Sequence, residues 1–237
     1  PISTTAHRLL LYIAHVKQLD VALGDVGTAF LHAPLPKDMV VHVLPPVNLR
    51  RPGQVWKLSK ALYGLRQSPR LFREFLAASL IKLGWTRCVV EPQLFYHKEA
   101  GAFLTAHADD LLIVAGHVVM QKLKRDLETL MRIKWGECLS PKAVGETTEW
   151  VRFLGREMQR TATGFRVRVS ENYVNTLLAL LRLEKGRAAP TPFLTTRPDK
   201  DSPACDAVEH HLYRRVVGKL MWLTGERPDL GYRSEEH

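Results

Sequence analysis

Cysteine is scarce in this sequence of 237 residues, and long apolar runs are missing from it. The three cysteines, Cys88, Cys138 and Cys205, lie far apart, which excludes a disulfide framework and a CxxC metal site. No apolar run is long enough for a transmembrane helix, and residues 1–15 lack the positive charge that opens a signal peptide. We therefore expect an intracellular protein with free thiols that is neither secreted nor held in a membrane.

Acidic side chains are also few, with 24 Asp and Glu against 34 Lys and Arg and a formal net charge of +10. The surplus is concentrated in residues 1–100, which hold 13 basic and 6 acidic side chains, whereas residues 101–150 hold 6 and 7. Such a surplus suits a polyanionic partner such as nucleic acid, although an ordinary basic globular protein explains the charge equally well. The hydrophobic share of 46% excludes a fully disordered chain.

The periodicity of apolar residues predicts helices interleaved with antiparallel hairpins, which indicates an α+β fold rather than a regular βαβ alternation. Ser68-Pro69 opens the clearest helix, because serine is a good N-cap and proline is favoured at the first helical position. Helices are predicted over residues 6–16, from Ser68 to Gly84, and over 118–133, 171–183 and 213–223. Strands are predicted over 16–26 and 54–58, with hairpins over 103–115 and 151–169. Four prolines between residues 188 and 206 indicate a linker.

Two adjacent acids, Asp109 and Asp110, lie at the predicted tip of a hairpin between two apolar strands. A solvated turn is the simpler explanation for this pair alone, because turns favour aspartate. Asp25 ends another apolar strand, and pairing of the two strands would bring three carboxylates together. Their repulsion would call for a divalent cation, and Mg2+ prefers oxygen ligands and leaves room for substrate phosphates. Two ions about 4 Å apart would make a nucleotidyl-transfer site.

Five segments then follow the motifs of one family in their order. They are residues 25–33 (DVGTAFLHA), 56–70 (WKLSKALYGLRQSPR), 109–113 (DDLLI), 153–158 (FLGREM) and 213–230 (YRRVVGKLMWL with a later RPDL). The set resembles the reverse transcriptase domain of copia-type retrotransposons, with LYGLRQSPR as its most specific block. The resemblance implies a polymerase right-hand palm, an antiparallel sheet backed by helices, with partial fingers and a thumb-like C-terminal part. It places the palm and partial fingers in residues 1–160. The end of the primer-grip hairpin, the thumb and the start of the connection fall in 161–237.

The same resemblance implies roles for ten residues and a set of partners. The catalytic and metal-binding residues would be Asp25, Asp109 and Asp110, which would hold two Mg2+ (or Mn2+) ions. The incoming nucleotide would contact Phe30, Tyr63 and Gly64, and nucleic acid would contact Arg66, Gln67, Arg70 and Arg156. A core aromatic is an equally natural role for Phe30, and solvated helix-end charges are the simpler explanation for Arg66 and Arg70. The partners implied are an RNA template, a DNA primer, their RNA–DNA hybrid and deoxynucleoside triphosphates.

Three departures from the family pattern bear on activity. His107-Ala108 precedes the paired acids where the family has tyrosine and valine. A second candidate for the first catalytic acid, Asp20, lies five residues before Asp25. We assign the role to Asp25, because Thr-Ala-Phe-Leu follows it, and expect Asp20 to be a polar residue flanking the strand. Finally, no segment resembles the family's front fingers or a ribonuclease H domain.

We therefore expect a truncated copy of the family domain, and the missing segments leave two functions open. The first is an RNA-directed DNA polymerase. The second is a catalytically inactive remnant that at most binds nucleic acid through its basic surface. A third possibility, a basic globular interaction protein, is disfavoured by the LYGLRQSPR block.

Overall fold

The structure is a computed structural model and describes residues 2–143, 149–186, 204–227 and 230. The helices of this described part are α1 (Thr4–Val16), α2 (Ser68–Lys82), α3 (His117–Glu128), α4 (Glu171–Leu180) and α5 (Ala207–Leu223). The first strands are β1 (Asp20–Val26), β2 (His42–Val43), β3 (Trp56–Lys57), β4 (Thr86–Arg87) and β5 (Leu94–His97). The others are β6 (Ala102–His107), β7 (Asp110–Ala115), β8 (Ile133–Leu139), β9 (Val151–Phe153), β10 (Arg156–Thr161) and β11 (Gly164–Val169). The α+β class is confirmed. Most of the predicted linker, 188–206, lies outside the described residues.

An antiparallel sheet of six strands in the order β4-β5-β6-β7-β1-β8 forms the centre of the fold. The predicted hairpin of β6 and β7 is confirmed, and β1 pairs with β7 although many residues separate them in the chain. One face of this sheet packs against α2 and α3. The side chains buried there include Ala22, Val26, Phe72, Leu76, Leu111, Ile113, Met120 and Leu127. Each fully buried Leu or Phe of this layer contributes about 1.5–3 kcal/mol, so the packing holds β1 and β7 in register.

The chain divides into two compact units, one of residues 1–153 with 159–166 and one of 154–158 with 167–237. The first unit holds the six-stranded sheet with α1, α2 and α3, and β2 pairs with β3 within it. In the second unit, α4 and α5 share a small apolar cluster around Leu177 and Val216. The strands β9, β10 and β11 form a three-stranded sheet in the order β11-β10-β9. Within the described residues, no helix combines the length and the apolar character needed to cross a membrane.

The start of α2 differs from the sequence-based prediction. Gln67 rather than Ser68 occupies the N-cap position, and its side chain makes no capping bond. Ser68 is fully buried, and its hydroxyl donates a hydrogen bond to the carbonyl of Leu62 at 2.6 Å. The serine therefore ties the helix to the preceding loop instead of capping it. Pro69 is accordingly the second residue of the helix rather than the predicted first, while Gly84 follows the helix with a φ of +87°, as predicted.

The predicted helix over 118–133 is wrong at its C-terminal end. Helix α3 ends at Glu128, and Ile133 begins β8, a strand that the apolar pattern did not reveal. The reason is tertiary, because β8 pairs with the open edge of β1 and gains ladder hydrogen bonds there. In contrast, α5 begins earlier than predicted. Asp206 accepts hydrogen bonds from the backbone of Val208 and Glu209, which makes a capping box that starts the helix at Ala207.

Candidate active site

The central feature of the candidate site is a cross-strand pair of carboxylates. Asp25, near the end of β1, lies directly opposite Asp110, the first residue of β7. Paired residues of antiparallel strands share a face, with Cβ atoms about 4.5–5.5 Å apart. The backbone of Asp109 is tied to the same place, because its carbonyl accepts a hydrogen bond from the amide of Val26 at 2.8 Å. The structure therefore brings together the three acids that the sequence carries in distant segments.

The turn that carries Asp109 is strained. Ala108 adopts a φ of +52°, in the left-handed region that residues other than glycine enter at a cost of about 1–2 kcal/mol. A small side chain without β-branching bears this conformation better than a bulky one. Strain of this kind clusters at functional sites and persists only where the surrounding structure enforces it. Here the bond from Val26 to Asp109 and the pairing of His107 with Asp110 enforce it.

Asp110 has a perturbed carboxyl pKa. Partial burial raises the pKa of its carboxyl, and the charges of Asp109 and Asp25 raise it further, while His107 acts in the opposite direction. Crowded carboxylates of this kind favour either a proton or a cation between them. A divalent cation would relieve the repulsion without protonation, since oxygen donors are the ligands that Mg2+ prefers.

The side chains as placed offer a pair of metal donors rather than a set of three. Among the residues that the structure describes, no group of three or more His, Cys, Asp or Glu side chains is arranged to hold a metal ion. The Asp25–Asp110 pair nevertheless fits Mg2+, which is usually held by one or two carboxylates together with substrate phosphates. The donor set therefore suits an ion that arrives with a phosphorylated substrate.

The carboxylate pair belongs to a longer row that crosses four neighbouring strands. His107 on β6 lies opposite Asp110, and Lys134 on β8 lies opposite Asp25. The four-residue row is thus His107, Asp110, Asp25 and Lys134, with the two acids flanked by a histidine and a lysine. Sequence reasoning missed Lys134 because it missed β8. The available signal was the alternation of apolar Ile133 and Trp135 around the charged Lys134, which is typical of a strand.

A cavity of about 460 Å³ adjoins this row, and Asp25, Asp110 and Lys134 line it together with Trp135. The indole of Trp135 lies over Gly24, so closely that a Cβ added there would come within 2.8 Å of a ring carbon. Glycine is therefore required beside Asp25. The indole nitrogen of Trp135 also donates a hydrogen bond to Glu128 at 2.7 Å, which fixes the ring in this position.

The predicted nucleotide-binding residues also come together. The rings of Phe30 and Tyr63 lie 4.5 Å apart between centroids, and Phe30 makes an edge contact with Phe72 at 6.2 Å. Phe30 is half-buried and packs against the core, whereas Tyr63 is 51% exposed. Gly64 has a φ of +95° and open space around it, so the backbone conformation rather than crowding calls for glycine. Their contact with a nucleotide stays a prediction.

The residues predicted to contact nucleic acid fall into two groups. Arg66, Gln67 and Arg70 are exposed around the start of α2, and Arg70 donates a hydrogen bond to Glu74 at 2.8 Å. Arg156 belongs to the second unit, where its guanidinium pairs with Glu226 at 2.6 Å and lies over Trp222. The charge of Arg156 is thus already compensated, whereas Arg66 and Gln67 project into solvent.

Asp20 is not the flanking polar residue that the sequence suggested. It is the first residue of β1, only 2% exposed, and its carboxylate lies 2.7 Å from Nδ1 of His117. A buried carboxylate is stable only when it is paired, and His117 supplies the partner. Asp25 makes no ion pair among the described residues: Asp110 lies opposite it on β7, and the exposed Lys134 lies opposite it on β8 without pairing with it.

Comparisons with known proteins identify the family of the chain. Residues 2–195 match the family model described as reverse transcriptase (RNA-dependent DNA polymerase). The chain is 29% identical to the retrovirus-related Pol polyprotein from transposon RE2 of Arabidopsis thaliana, over 98% of the chain and 15% of that relative. It is 27% identical to the corresponding polyprotein from transposon TNT 1-94 of Nicotiana tabacum, over 98% of the chain and 18% of the relative. The putative transposon Ty5-1 protein YCL074W of Saccharomyces cerevisiae is 26% identical over 88% of the chain and 66% of its own length.

The chain therefore spans about 15% of the length of the Arabidopsis polyproteins that it matches. The predicted resemblance to copia-type elements is confirmed, since the relatives are transposon proteins of this type. The chain belongs to the reverse transcriptase (RNA-dependent DNA polymerase) family, as a domain of the kind found in retrotransposon Pol polyproteins.

Proposed function

We propose that this domain is an RNA-directed DNA polymerase that adds deoxynucleotides to a DNA primer on an RNA template. The observation that carries the proposal is the cross-strand pairing of Asp25 with Asp110, beside a backbone-tethered Asp109. In this reaction the primer 3′-oxygen attacks the α-phosphorus of a deoxynucleoside triphosphate, and pyrophosphate leaves. The carboxylates of Asp25, Asp109 and Asp110 would hold two Mg2+ or Mn2+ ions. The chemistry that such ions supply is activation of the hydroxyl and stabilisation of the leaving group.

The surrounding residues take supporting roles in the proposal. Phe30 and Tyr63 contact the sugar and base of the incoming nucleotide, and Gly64 lets the backbone approach it closely. Arg66, Gln67, Arg70 and Arg156 contact phosphates of the template, the primer or their hybrid. Recognition is independent of sequence, because phosphate charge and the shape of the duplex provide the binding energy.

The polymerase architecture belongs to the same proposal. The six-stranded sheet with α2 and α3 behind it serves as the palm, and the segment with β2 and β3 serves as partial fingers. The turn between β9 and β10 grips the primer. Helices α4 and α5 belong to the thumb and to the start of the connection.

Primer extension on an RNA template with Mg2+ tests the proposal. The wild-type domain is compared with Asp110→Asn and with Asp38→Asn, a matched change at an exposed aspartate outside the site. We expect Asp110→Asn to lower the extension rate by more than about 100-fold. Mutation of residues that merely hold metal ligands in place already lowers metal affinity or activity by about 10–100-fold. Asp38→Asn should retain the wild-type rate. Equal extension by wild type and Asp110→Asn would overturn the proposal.

A second candidate is a protein that binds nucleic acid without catalysis. The observation that favours it is the lack of a three-ligand metal arrangement among the described residues. In that case the wild-type domain gives no extension with Mg2+ or Mn2+, yet it retains hybrid binding that weakens with salt. The same primer-extension experiment therefore separates the two functions.

A further inference from the structure

His107 is the member of the four-residue row that departs from the family pattern, which has tyrosine at this position. It is half-buried on β6, directly opposite Asp110. Neither of its ring nitrogens makes a hydrogen bond or an ion pair within the part of the chain that the structure describes. In contrast, the half-buried rings of His32 and His97 each use one nitrogen in a hydrogen bond with the backbone. The imidazole of His107 is therefore available to a ligand.

The register of the strands places this imidazole beside the acids of the site. Directly opposed residues of antiparallel strands share a face, with Cβ atoms about 4.5–5.5 Å apart. His107, Asp110 and Asp25 follow one another across β6, β7 and β1, so the three side chains lie on one face of the sheet. Burial and the neighbouring acids raise the pKa of the Asp110 carboxyl, and the nearby His107 acts against them.

Open space beside the row allows the ring of His107 to turn towards the acids. His107 lines a cavity of about 390 Å³, and Asp110 and Asp25 line another of about 460 Å³. Since no described group bonds to the ring, a change between its staggered rotamers breaks no hydrogen bond. As placed, the described side chains make no three-ligand metal group. Rotation of this one ring would add a nitrogen donor to the two carboxylates.

A nitrogen donor changes which cation such a site prefers. Carboxylate oxygens alone suit Mg2+, which also gives up its water molecules reluctantly. An imidazole ligand favours divalent transition metals instead, and the affinity rises from Mn2+ to Co2+. A site of two carboxylates and one imidazole therefore differs in metal preference from a site of carboxylates only.

We propose that His107 is a third ligand, with Asp110 and Asp25, of an ion in the active site, and that it makes this site prefer transition-metal ions such as Mn2+ to Mg2+. The inference rests on the proposed function in taking Asp25 and Asp110 to be metal ligands. It deepens that function by naming the class of ion and by giving a role to a residue that departs from the family pattern.

Metal binding by the untagged domain, without nucleotide or nucleic acid, tests this assignment. Mn2+ affinity is measured from the electron paramagnetic resonance signal of the free ion, and Mg2+ and Co2+ affinities by competition. The variants are His107→Gln and His107→Tyr, and the matched control is His42→Gln, at an exposed histidine on β2. We expect loss of the imidazole to weaken Mn2+ binding about tenfold, to weaken Co2+ binding more, and to leave Mg2+ binding unchanged.

The pattern across the three ions separates coordination from a structural role. A variant that only disturbs the turn would weaken all three ions equally, whereas loss of a nitrogen ligand weakens them in the order of their preference for imidazole. Equal losses for the three ions, or no loss for any of them, would overturn the proposal.

A direct readout comes from electron spin echo envelope modulation of bound Mn2+, which detects a coordinated nitrogen. We expect a nitrogen coupling in wild type and in His42→Gln and none in His107→Gln. Absence of the coupling in wild type would overturn the proposal. The two proposals fail separately. Nitrogen coordination without primer extension would count against catalysis alone, and extension by a wild-type domain that shows no nitrogen coupling would count against His107 alone.

Discussion

The strand β1 carries an aspartate near each end, and the two carboxylates lie in opposite electrostatic surroundings. Asp20 is buried, accepts a hydrogen bond from His117, and attracts the guanidinium of Arg160. Asp25 is exposed and has carboxylates as its nearest charged neighbours on β7. The first end is electrostatically satisfied, whereas at the second end Asp25 faces carboxylates on β7 and, within the described residues, makes no ion pair with Lys134 on β8. The comparison teaches that a paired, buried acid stabilises the fold, whereas crowded acids at an exposed strand end oppose it unless a cation or a proton neutralises them.

Replacement of the satisfied acid should produce the largest loss of stability. Asp20→Asn removes the buried charge that pairs with His117 and attracts Arg160. We expect the free energy of unfolding to fall by about 1–3 kcal/mol, measured by urea denaturation. Asp25→Asn is the matched variant, and it should leave stability unchanged or raise it, because it removes a repulsive charge. A larger loss for Asp25→Asn than for Asp20→Asn would reverse the comparison.

Gly24→Ala tests the close contact between Gly24 and the Trp135 ring at the exposed end of β1. The added methyl group meets the Trp135 ring at 2.8 Å, and overpacking of this kind costs about 1–3 kcal/mol. We expect a lower melting temperature and weaker primer extension, because Trp135 must move away from the neighbour of Asp25. Gly116→Ala is the control, since its added Cβ has open space and its φ is negative. Similar melting temperatures for the two variants would rule out the tight contact.

Lys134→Met sharpens the comparison by removing the cation opposite Asp25. Lys134 lines the same cavity as Asp25 and Asp110, so its ammonium is available to a triphosphate bound there. We expect KM for the deoxynucleoside triphosphate to rise severalfold while kcat changes less. Lys134→Arg should restore part of the affinity, and Lys142→Met, at an exposed lysine elsewhere, should have no effect. An unchanged KM for Lys134→Met would show that Lys134 does not contact the bound triphosphate.

The smallest expected effect concerns the charge of Asp110. Its pKa is raised in the folded protein, chiefly by burial, so its ionisation opposes folding. The penalty is absent below the unfolded pKa and grows as pH rises through the folded pKa. Asp110→Asn should therefore gain stability relative to wild type as pH increases from acid to neutral. Mg2+ should raise the melting temperature of wild type but not of Asp110→Asn. If the stabilities of wild type and Asp110→Asn changed with pH in parallel, the raised pKa of Asp110 would be contradicted.

Local chemistry allowed much of this site to be predicted from the sequence. The hairpin around Asp109 and Asp110 follows from two apolar runs and a polar turn, and both strands formed as expected. The pairing of Asp25 with Asp110 was a hypothesis that the register supports. The hairpin depends on patterns within a few residues of the acids, whereas the pairing joins strands far apart in the chain and was suggested by the apolar strand that Asp25 ends.

Other features depend on contacts between distant segments, and the sequence did not reveal them. The strand β8 exists because β1 offers an open edge, so Lys134 could not be placed beside Asp25 from its own neighbours. The burial of Asp20 depends on His117, which lies 97 residues away in the chain. Local propensity favours Ser68 as an N-cap. Its hydroxyl instead donates a hydrogen bond to the carbonyl of Leu62, because the loop before α2 supplies this buried acceptor.

The central claim is that the crowded end of β1, and not the satisfied end, carries the chemistry. Primer extension on an RNA template with Mg2+, compared between Asp20→Asn and Asp25→Asn at a temperature where both are folded, tests it most directly. We predict that Asp20→Asn extends the primer at a rate close to wild type and that Asp25→Asn gives no extension. Extension by Asp25→Asn, together with its loss in folded Asp20→Asn, would contradict the account.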